Sequence, residues 1–341
     1  MGSYRETSQP QRWSIASSHA RAEILSTGGM LNDAAFRLGD GRWIKPFATA
    51  PWAGNSEMAD LPGHMRWLGG EFACLPFGCG GPVRGVTPAW RATLDGSVTQ
   101  PNHGAAANKE WSPVGRTAEA VELRIDYPPE DSIAYLIRRV EAARDAAAFN
   151  LSLEIHARKK DRVPVGLHPI VSLDRPVGDV RLSADFAAGF CYPAIVEPDR
   201  MLTEPGGRFS SLASVPGRAG GRIDFSRLPV AEPTEDVVQI CNVRGPITVD
   251  LVDDRARLIV DWDRKILPHA SIWVGDRALQ SRPWGGRFRG LGIEPIASCF
   301  DFSDQVSRHD NPLNREGFST TVAVSPEAPV ILRYRLEMTP I

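Results

Sequence analysis

The sequence predicts an all-β protein, built as an antiparallel sandwich or barrel. Apolar and polar residues alternate over short stretches, which is the two-residue period of a strand with one buried face. Turn-forming residues separate these stretches, and the 341-residue chain contains 31 glycines and 28 prolines, a content that favours many turns over long helices. Short strands at this spacing indicate antiparallel sheets rather than βαβ units.

The clearest strand covers residues 120–126, where Val121, Leu123 and Ile125 share one face. The same alternation recurs in residues 149–155, 247–251, 258–262, 271–274, 320–324 and 330–336. Residues 138–148 have high helix propensity, which leaves a short helix open there. A capping box is missing and strand alternation resumes at once, so we expect strand, turn, strand.

The chain is expected to form one domain over residues 19–341, after an N-terminal extension, residues 1–18, that could be flexible. Hydrophobic residues make up 42% and charged residues 23%, as in globular proteins. With 39 basic and 41 acidic residues the net charge is -2, which gives no electrostatic reason to bind nucleic acid or an anionic membrane.

The cysteines and the termini predict a cytoplasmic protein. Cys74, Cys79, Cys191, Cys241 and Cys299 show neither a disulfide framework nor a zinc-knuckle spacing, so reduced thiols are expected. Residues 1–11 lack the apolar stretch of a signal peptide, and no apolar run approaches the ~20 residues that span a bilayer.

Two histidines and one glutamate lie in settings that favour proton transfer. His103 precedes Gly104, which lets backbone approach a ligand closely. His168 precedes Pro169, which restricts its backbone to an extended conformation. Glu294 has apolar neighbours, and burial would raise its pKa toward the range of a general base. Imidazole and carboxylate are well suited to moving protons near neutral pH.

Each of these residues also has a purely structural interpretation. His103 could cap a turn, His168 could belong to an ordinary His-Pro segment, and Glu294 could pair with Arg287 or Arg289. These interpretations stay open at the level of single motifs.

Asn108 and Trp111, which follow His103 in the chain, are candidates for binding a sugar. Trp111 either offers an aromatic face on which sugar C–H groups pack or belongs to the core. The other histidines lack comparable settings and are expected at the surface or in the core: His19, His64, His156, His269 and His309.

Taken in order, the motifs resemble the aldose 1-epimerase (galactose mutarotase-like) family, from about residue 22 to residue 338. The matching features are Gly28-Gly29, Pro46 with Pro51-Trp52, Pro76-Phe77-Gly78, His103-Gly104 with Trp111, Gly166-Leu167-His168-Pro169, Pro268 with Trp273, and Gly292-Ile293-Glu294-Pro295. The resemblance implies a large antiparallel β-sandwich (a supersandwich) with a sugar lying across its concave face.

By this resemblance His168 is the general acid on the ring oxygen and Glu294 the general base on the C1 hydroxyl. His103 would hold the ring oxygen or a neighbouring hydroxyl. Asp236 is the nearest match to an aspartate that binds ring hydroxyls, and Arg84 to an arginine near the Pro-Phe-Gly turn. The resemblance implies no cofactor and no metal, and a small-molecule sugar as partner.

The chain also departs from the family pattern. After His103-Gly104 it lacks an aromatic residue and an arginine, and after His168 it lacks a tyrosine. Three functions follow as hypotheses: a mutarotase, a non-catalytic carbohydrate-binding protein of the same fold, and a metal-dependent sugar isomerase or lyase using His103, His168 and Glu294 as ligands.

A phosphorylated sugar would need a cationic rim. Arg282, Arg287 and Arg289 could supply one unless they pair with carboxylates.

Overall fold

The structure is a computed structural model and describes residues 9–81, 83–94 and 100–341. In chain order its strands are β1 (Arg12–Ala16), β2 (Ala20–Leu25), β3 (Leu31–Arg37), β4 (Trp43–Ile44), β5 (Ala73–Cys74), β6 (Ser112–Arg116), β7 (Ala120–Asp126), β8 (Ile133–Ala142), β9 (Ala148–Ala157), β10 (Asp161–Val163), β11 (Val165–Leu167), β12 (Ile170–Ser172), β13 (Val180–Ser183), β14 (Ala188–Cys191), β15 (Arg208–Phe209), β16 (Val215–Pro216), β17 (Arg222–Ile223), β18 (Arg227–Leu228), β19 (Thr234–Cys241), β20 (Ile247–Leu251), β21 (Ala256–Trp262), β22 (His269–Asp276), β23 (Arg289–Ala297), β24 (Val322–Val324) and β25 (Val330–Pro340).

The helices are all short. The α-helices are α1 (Gly63–Arg66), α2 (Arg91–Leu94), α3 (Gly104–Asn108), α4 (Asp304–Arg308) and α5 (Pro312–Arg315). Single 3₁₀ turns cover Ser56–Met58, Pro88–Trp90 and Leu212–Ser214. None of the helices in the described ranges is long and apolar enough to cross a membrane.

Two large antiparallel sheets dominate the molecule. The nine-stranded sheet has the order β18-β13-β20-β21-β25-β9-β8-β7-β6. The eight-stranded sheet has the order β15-β14-β19-β22-β23-β11-β5, and β12 pairs with β23 beside this path. A four-stranded sheet, β1-β2-β3-β4, and two two-stranded sheets, β10-β24 and β16-β17, complete the topology. The predicted all-β antiparallel class is confirmed.

The main hydrophobic core lies between the two large sheets. Leu136 and Val140 of the nine-stranded sheet belong to one buried cluster with Ile272 and Ile293 of the eight-stranded sheet. The outer face of the nine-stranded sheet is partly exposed, so its strands show the alternation that the sequence displays. The arrangement is a β-sandwich, which resolves the choice between sandwich and barrel.

The eight-stranded sheet is covered on both faces, and this positions the site. In β19 and β22, Val238 and Ile272 point into the main core, while Val237 and Trp273 point to the opposite side. Every residue of β19 is buried. Loops and short helices cover this second face and leave a cleft against it.

Most predicted strands are found at or within two residues of the expected positions, whereas β25 continues four residues further, to Pro340. Residues 138–148 form the β8–β9 hairpin. Of the predicted extension, residues 1–8 lie outside the described residues. From Arg12 the chain forms β1, whose Trp13 and Ile15 are buried, so this part belongs to the folded core rather than to an extension. All five cysteines are free thiols, as expected.

Candidate active site

His168 and Glu294 face each other on the covered side of the eight-stranded sheet. His168 lies between β11 and β12, which both pair with β23. Because Gly166 is opposite Ile296 and β12 continues the same alignment, the register places His168 opposite Glu294. Directly opposed residues of antiparallel strands have Cβ atoms about 5 Å apart. His168 Nε2 lies 3.3 Å from Glu294 Oε1.

Neighbouring residues give this pair its space and its orientation. Gly292 is on the same face as Glu294, and a Cβ there would lie 2.4 Å from Glu294 Oε1, so a side chain at this position would displace the carboxyl group. The Phe72 ring stacks on the His168 imidazole, with centroids 4.6 Å apart. The His168 backbone N–H donates to the Phe72 carbonyl at 2.8 Å, which fixes the imidazole from its backbone side.

His103 reaches the same place through an unusual backbone. Its φ is 60°, in the left-handed region, and Gly104 follows with φ 70°. A Cβ on Gly104 would lie 2.1 Å from the carbonyl oxygen of Leu75, so this turn requires glycine. The His103 and His168 rings lie edge to face with centroids 5.0 Å apart. Nδ1 of each ring is buried without a hydrogen-bond partner in the described residues.

His64 is a third imidazole of the cleft, although it was expected at the surface or in the core. Its ring centroid lies 5.3 Å from that of His103, and its Nδ1 lies 2.7 Å from Asn108 Oδ1. Asn108 also donates to the carbonyls of Asn102 and Gly104 at the start of α3. Asn108 therefore positions His64 and does not itself line the cleft.

On β19 the carboxylate of the cleft is Glu235, one residue before the predicted Asp236. Trp273 Nε1 donates to Glu235 Oε1 at 2.7 Å. Asp236 points to the opposite side of the strand, where it accepts hydrogen bonds from the N–H groups of Leu202 and Thr203 and from two threonine hydroxyls. The structure thus places Asp236 outside the cleft, because alternate residues of a strand face opposite sides.

The cleft has a volume of about 170 Å³. The remaining lining residues are Met65, Leu68, Cys79, Asn102, Val196, Val237, Ser271, Trp284 and Asp301. Glu294 and His168 keep 3% and 4% of their surface accessible. Trp273 and Trp284 give the cleft an aromatic wall of the kind that sugar C–H groups pack against.

Burial drives the ionisable groups of the cleft toward their uncharged forms. It lowers the pKa of His168 to about 3 and that of His64 to about 4, and it lowers the pKa of His103 well below its ordinary value. Burial raises the pKa of Glu235 to about 8 and the pKa of Glu294 well above its ordinary value. Burial therefore favours the uncharged state of the opposed pair, with the proton on Glu294 rather than on His168.

Two other predicted residues lie outside the cleft. Trp111 is 2% exposed and donates from Nε1 to the carbonyl of Ala106, so it belongs to the core. Arg84 is exposed and lines a cavity that adjoins the cleft. Of the predicted set, the structure brings together His103, His168 and Glu294.

The predicted pairing of Glu294 with Arg287 or Arg289 is not found in the part of the chain that the structure describes, and Arg287 is exposed. In the described ranges Glu294 pairs with His168 and with no arginine. Arg289 pairs with Asp276, and Arg282 pairs with Asp60, so neither offers a free cationic rim. Within residues 9–81, 83–94 and 100–341 no three His, Cys, Asp or Glu side chains are grouped to hold a metal ion.

Comparisons with solved structures agree on the fold. The chain superposes on a protein from Synechocystis with a TM-score of 0.66 at 13% identity, covering 100% of both chains. An aldose epimerase homologue from Caenorhabditis elegans gives a TM-score of 0.64 at 12% identity, covering 98% of this chain and 100% of that one. A galactose mutarotase-like protein from Lactobacillus casei gives 0.56 at 13%, covering 96% and 100%.

No protein-family model matches the sequence, and no curated protein matches it either. The chain therefore has an antiparallel β-sandwich fold that it shares with a galactose mutarotase-like protein and an aldose epimerase homologue, at low sequence identity.

Proposed function

We propose that this protein is a mutarotase, which interconverts the anomers of a free sugar by opening and reclosing its ring at the His168–Glu294 pair. The observation that carries the proposal is the 3.3 Å approach of an imidazole nitrogen and a carboxyl oxygen inside an accessible cleft. The fold that carries this pair is also that of an aldose epimerase homologue, which supports the proposal. A cytoplasmic location stays a prediction.

The reaction needs one base and one acid. Glu294 as carboxylate removes the proton from the C1 hydroxyl, and the electron pair of that O–H bond forms the C1–O1 double bond. The bond from C1 to the ring oxygen breaks, and its electron pair stays on the ring oxygen. His168 as imidazolium gives its proton to that ring oxygen. Rotation about C1–C2 and reclosure with the roles reversed give the other anomer.

Once the ring has opened, both His168 and Glu294 are uncharged. Glu294 then carries the proton taken from O1, and His168 has lost its own. Burial favours this state, so before the next opening the proton has to move from Glu294 Oε1 to His168 Nε2. One proton on the pair therefore serves both directions of the reaction.

Polarimetry with the variants Glu294→Gln and His168→Asn tests the proposal. Each variant is expected to lower the catalysed rate of anomer interconversion by about 10²-fold or more, because general acid and base groups contribute factors of that size. The exposed Glu232→Gln serves as a matched control with an unchanged rate. Wild-type rates in both site variants would contradict the mechanism. Sugar binding by calorimetry without any acceleration would instead indicate a carbohydrate-binding protein.

A further inference from the structure

A second, larger cavity adjoins the cleft along the eight-stranded sheet. It has a volume of about 480 Å³ and shares Val196, Val237 and Asp301 with the cleft. Tyr192, at its far side, follows β14 and donates its backbone N–H to Val237 of β19. Since β14 lies three strands from β23, and strands are spaced about 4.8 Å apart, the cavity extends roughly 14 Å across the sheet from Glu294.

The outer wall of this cavity is fixed by the backbone. The Ile195 N–H donates to the Arg84 carbonyl at 2.8 Å, and the Thr87 N–H donates to the Pro193 carbonyl at 2.9 Å. A Cβ at Gly85 would lie 2.3 Å from Ile195, so the two segments pack as closely as the chain allows. The wall is therefore a built part of the fold and not a loose surface loop.

The lining combines apolar walls with a few polar groups, of which the Asp301 carboxyl group also interacts with Tyr192 and Cys79. Asp301 Oδ1 is buried without a hydrogen-bond partner in the described residues, at the junction of cleft and cavity. The Arg84 guanidinium makes no ion pair or side-chain hydrogen bond within the described ranges, and it lines the open end. Apolar walls with a few convergent polar groups are typical of small-molecule sites.

The volumes indicate how much ligand the site holds. Ligand pockets commonly enclose about 300–1,000 Å³. The cleft with His168 and Glu294 is smaller than this range, at about 170 Å³, whereas cleft and cavity together fall inside it. A single sugar ring would leave the adjoining cavity unused.

We propose that the cleft and this cavity are two sugar subsites, so that the substrate class is a reducing disaccharide or longer saccharide. This inference rests on the proposed mutarotase function. The reducing ring lies between His168 and Glu294, the next ring lies against Tyr192 and Val196, and Asp301 accepts or donates a hydrogen bond at the linkage. Arg84 binds hydroxyls of the second ring.

Charge argues against a sugar phosphate as the occupant. Arg84 shares the cavity with the carboxylate of Glu197, and Asp301 is a second carboxyl group at the inner end. A phosphate dianion beside Arg84 would also face these groups, whereas an uncharged hydroxyl-rich ring can bind a guanidinium and carboxyls together.

Mutarotation kinetics on matched sugars test the inference. Glucose, maltose, cellobiose and lactose share a glucose residue at the reducing end and differ in the second ring. We expect kcat/KM for at least one disaccharide to exceed that for glucose about tenfold, corresponding to about 1.4 kcal/mol. Arg84→Ala and Val83→Trp, which fills the cavity, are expected to lower the disaccharide-to-glucose ratio at least fivefold. The exposed Arg227→Ala, on β18, is the control with an unchanged ratio.

Equal kcat/KM values for all four sugars, or a ratio unmoved by both cavity variants, would overturn the inference. So would a preference for glucose 6-phosphate that Arg84→Ala removes. Calorimetry distinguishes failure of the two-subsite inference from failure of the proposed mutarotase function. If no sugar is turned over but maltose or cellobiose binds at least tenfold more tightly than glucose, the two subsites stand and the mutarotase proposal falls. Equal affinities would refute the subsites.

Discussion

At the scale of single residues, burial shifts the pKa values of the ionisable side chains that line the cleft. His64, His103 and His168 are packed together, and each protonated ring would raise the cost of protonating the next. The pKa of each imidazole is accordingly depressed, first by burial, and for His103 and His168 also by the neighbouring imidazoles. Burial likewise favours the proton of the opposed pair on Glu294 rather than on His168.

This arrangement predicts a broad pH profile for mutarotation. The lowered pKa of His168 keeps its imidazole able to accept a proton until the pH falls to about 3. The raised pKa of Glu294 keeps the shared proton on the pair above the usual carboxyl range. We expect kcat/KM to stay flat through neutral pH, to fall on the acid side near pH 3, and to fall on the alkaline side as the pair loses its proton.

The measurement is polarimetry across the pH range, with circular dichroism at each pH to establish that the protein is folded. A single transition near pH 6.5, the ordinary pKa of an accessible histidine, would show that His168 is not buried as described.

At the scale of elements, β19 separates two carboxylates that are adjacent in sequence. Glu235 lines the cleft, while Asp236 holds the chain segment at residues 202–203 against the strand through its hydrogen bonds to Leu202 and Thr203. Glu235 therefore faces the cleft, whereas Asp236 faces the opposite side of the strand and stabilises the fold.

We therefore expect different consequences when each carboxylate is replaced. Asp236→Ala should lower the free energy of unfolding by about 1–3 kcal/mol, because it leaves buried donors without an acceptor. Glu235→Gln keeps an oxygen for Trp273 and should weaken sugar binding more than it changes stability. Urea denaturation and calorimetry measure the two effects. Weaker sugar binding in a folded Asp236→Ala protein than in Glu235→Gln would contradict this division of roles.

The same strand shows what the sequence can and cannot predict. Strands such as β7 and β20 bury one face, so their alternation located both to the residue. In β19 every residue is buried, and the pattern therefore does not indicate which face Glu235 or Asp236 occupies.

The residues of the candidate site could likewise be predicted only in part. His103, His168 and Glu294 stand in distinctive local motifs and could be named from the sequence. His64 could not, because it enters the cleft only where α1 packs beside α3 and Asn108 binds its ring. The adjoining cavity likewise depends on contacts between segments that are distant in the chain.

At the scale of the whole molecule, a buried ion pair joins the nine-stranded sheet to the segment just before β5, behind the cleft. Arg138 of β8 pairs with Glu71 at 2.5 Å, and both side chains are fully buried. Tyr334 of β25 accepts from Arg138 at 2.6 Å and donates to Glu71 at 2.9 Å. Glu71 adjoins Phe72, whose ring stacks on His168, so this contact connects the opposite sheet to the site.

Replacing one member of the ion pair should lower the free energy of unfolding more than replacing both. Arg138→Met leaves the Glu71 carboxylate buried and uncompensated, and we expect the free energy of unfolding to fall by about 3–5 kcal/mol. The double variant Glu71→Leu/Arg138→Met removes both charges and is expected to be more stable than Arg138→Met alone. Urea denaturation of the variants measures both effects. Strictly additive losses would show that the two side chains do not interact.

The opposition of His168 and Glu294 across β11, β12 and β23 has a consequence for biosynthesis. A ribosome synthesises His168 well before Glu294. A nascent polypeptide that stops short of β23 therefore lacks the His168–Glu294 pair on which the proposed mutarotase activity depends. In a refolding experiment the proposed activity is therefore expected to appear only after these distant segments have come together.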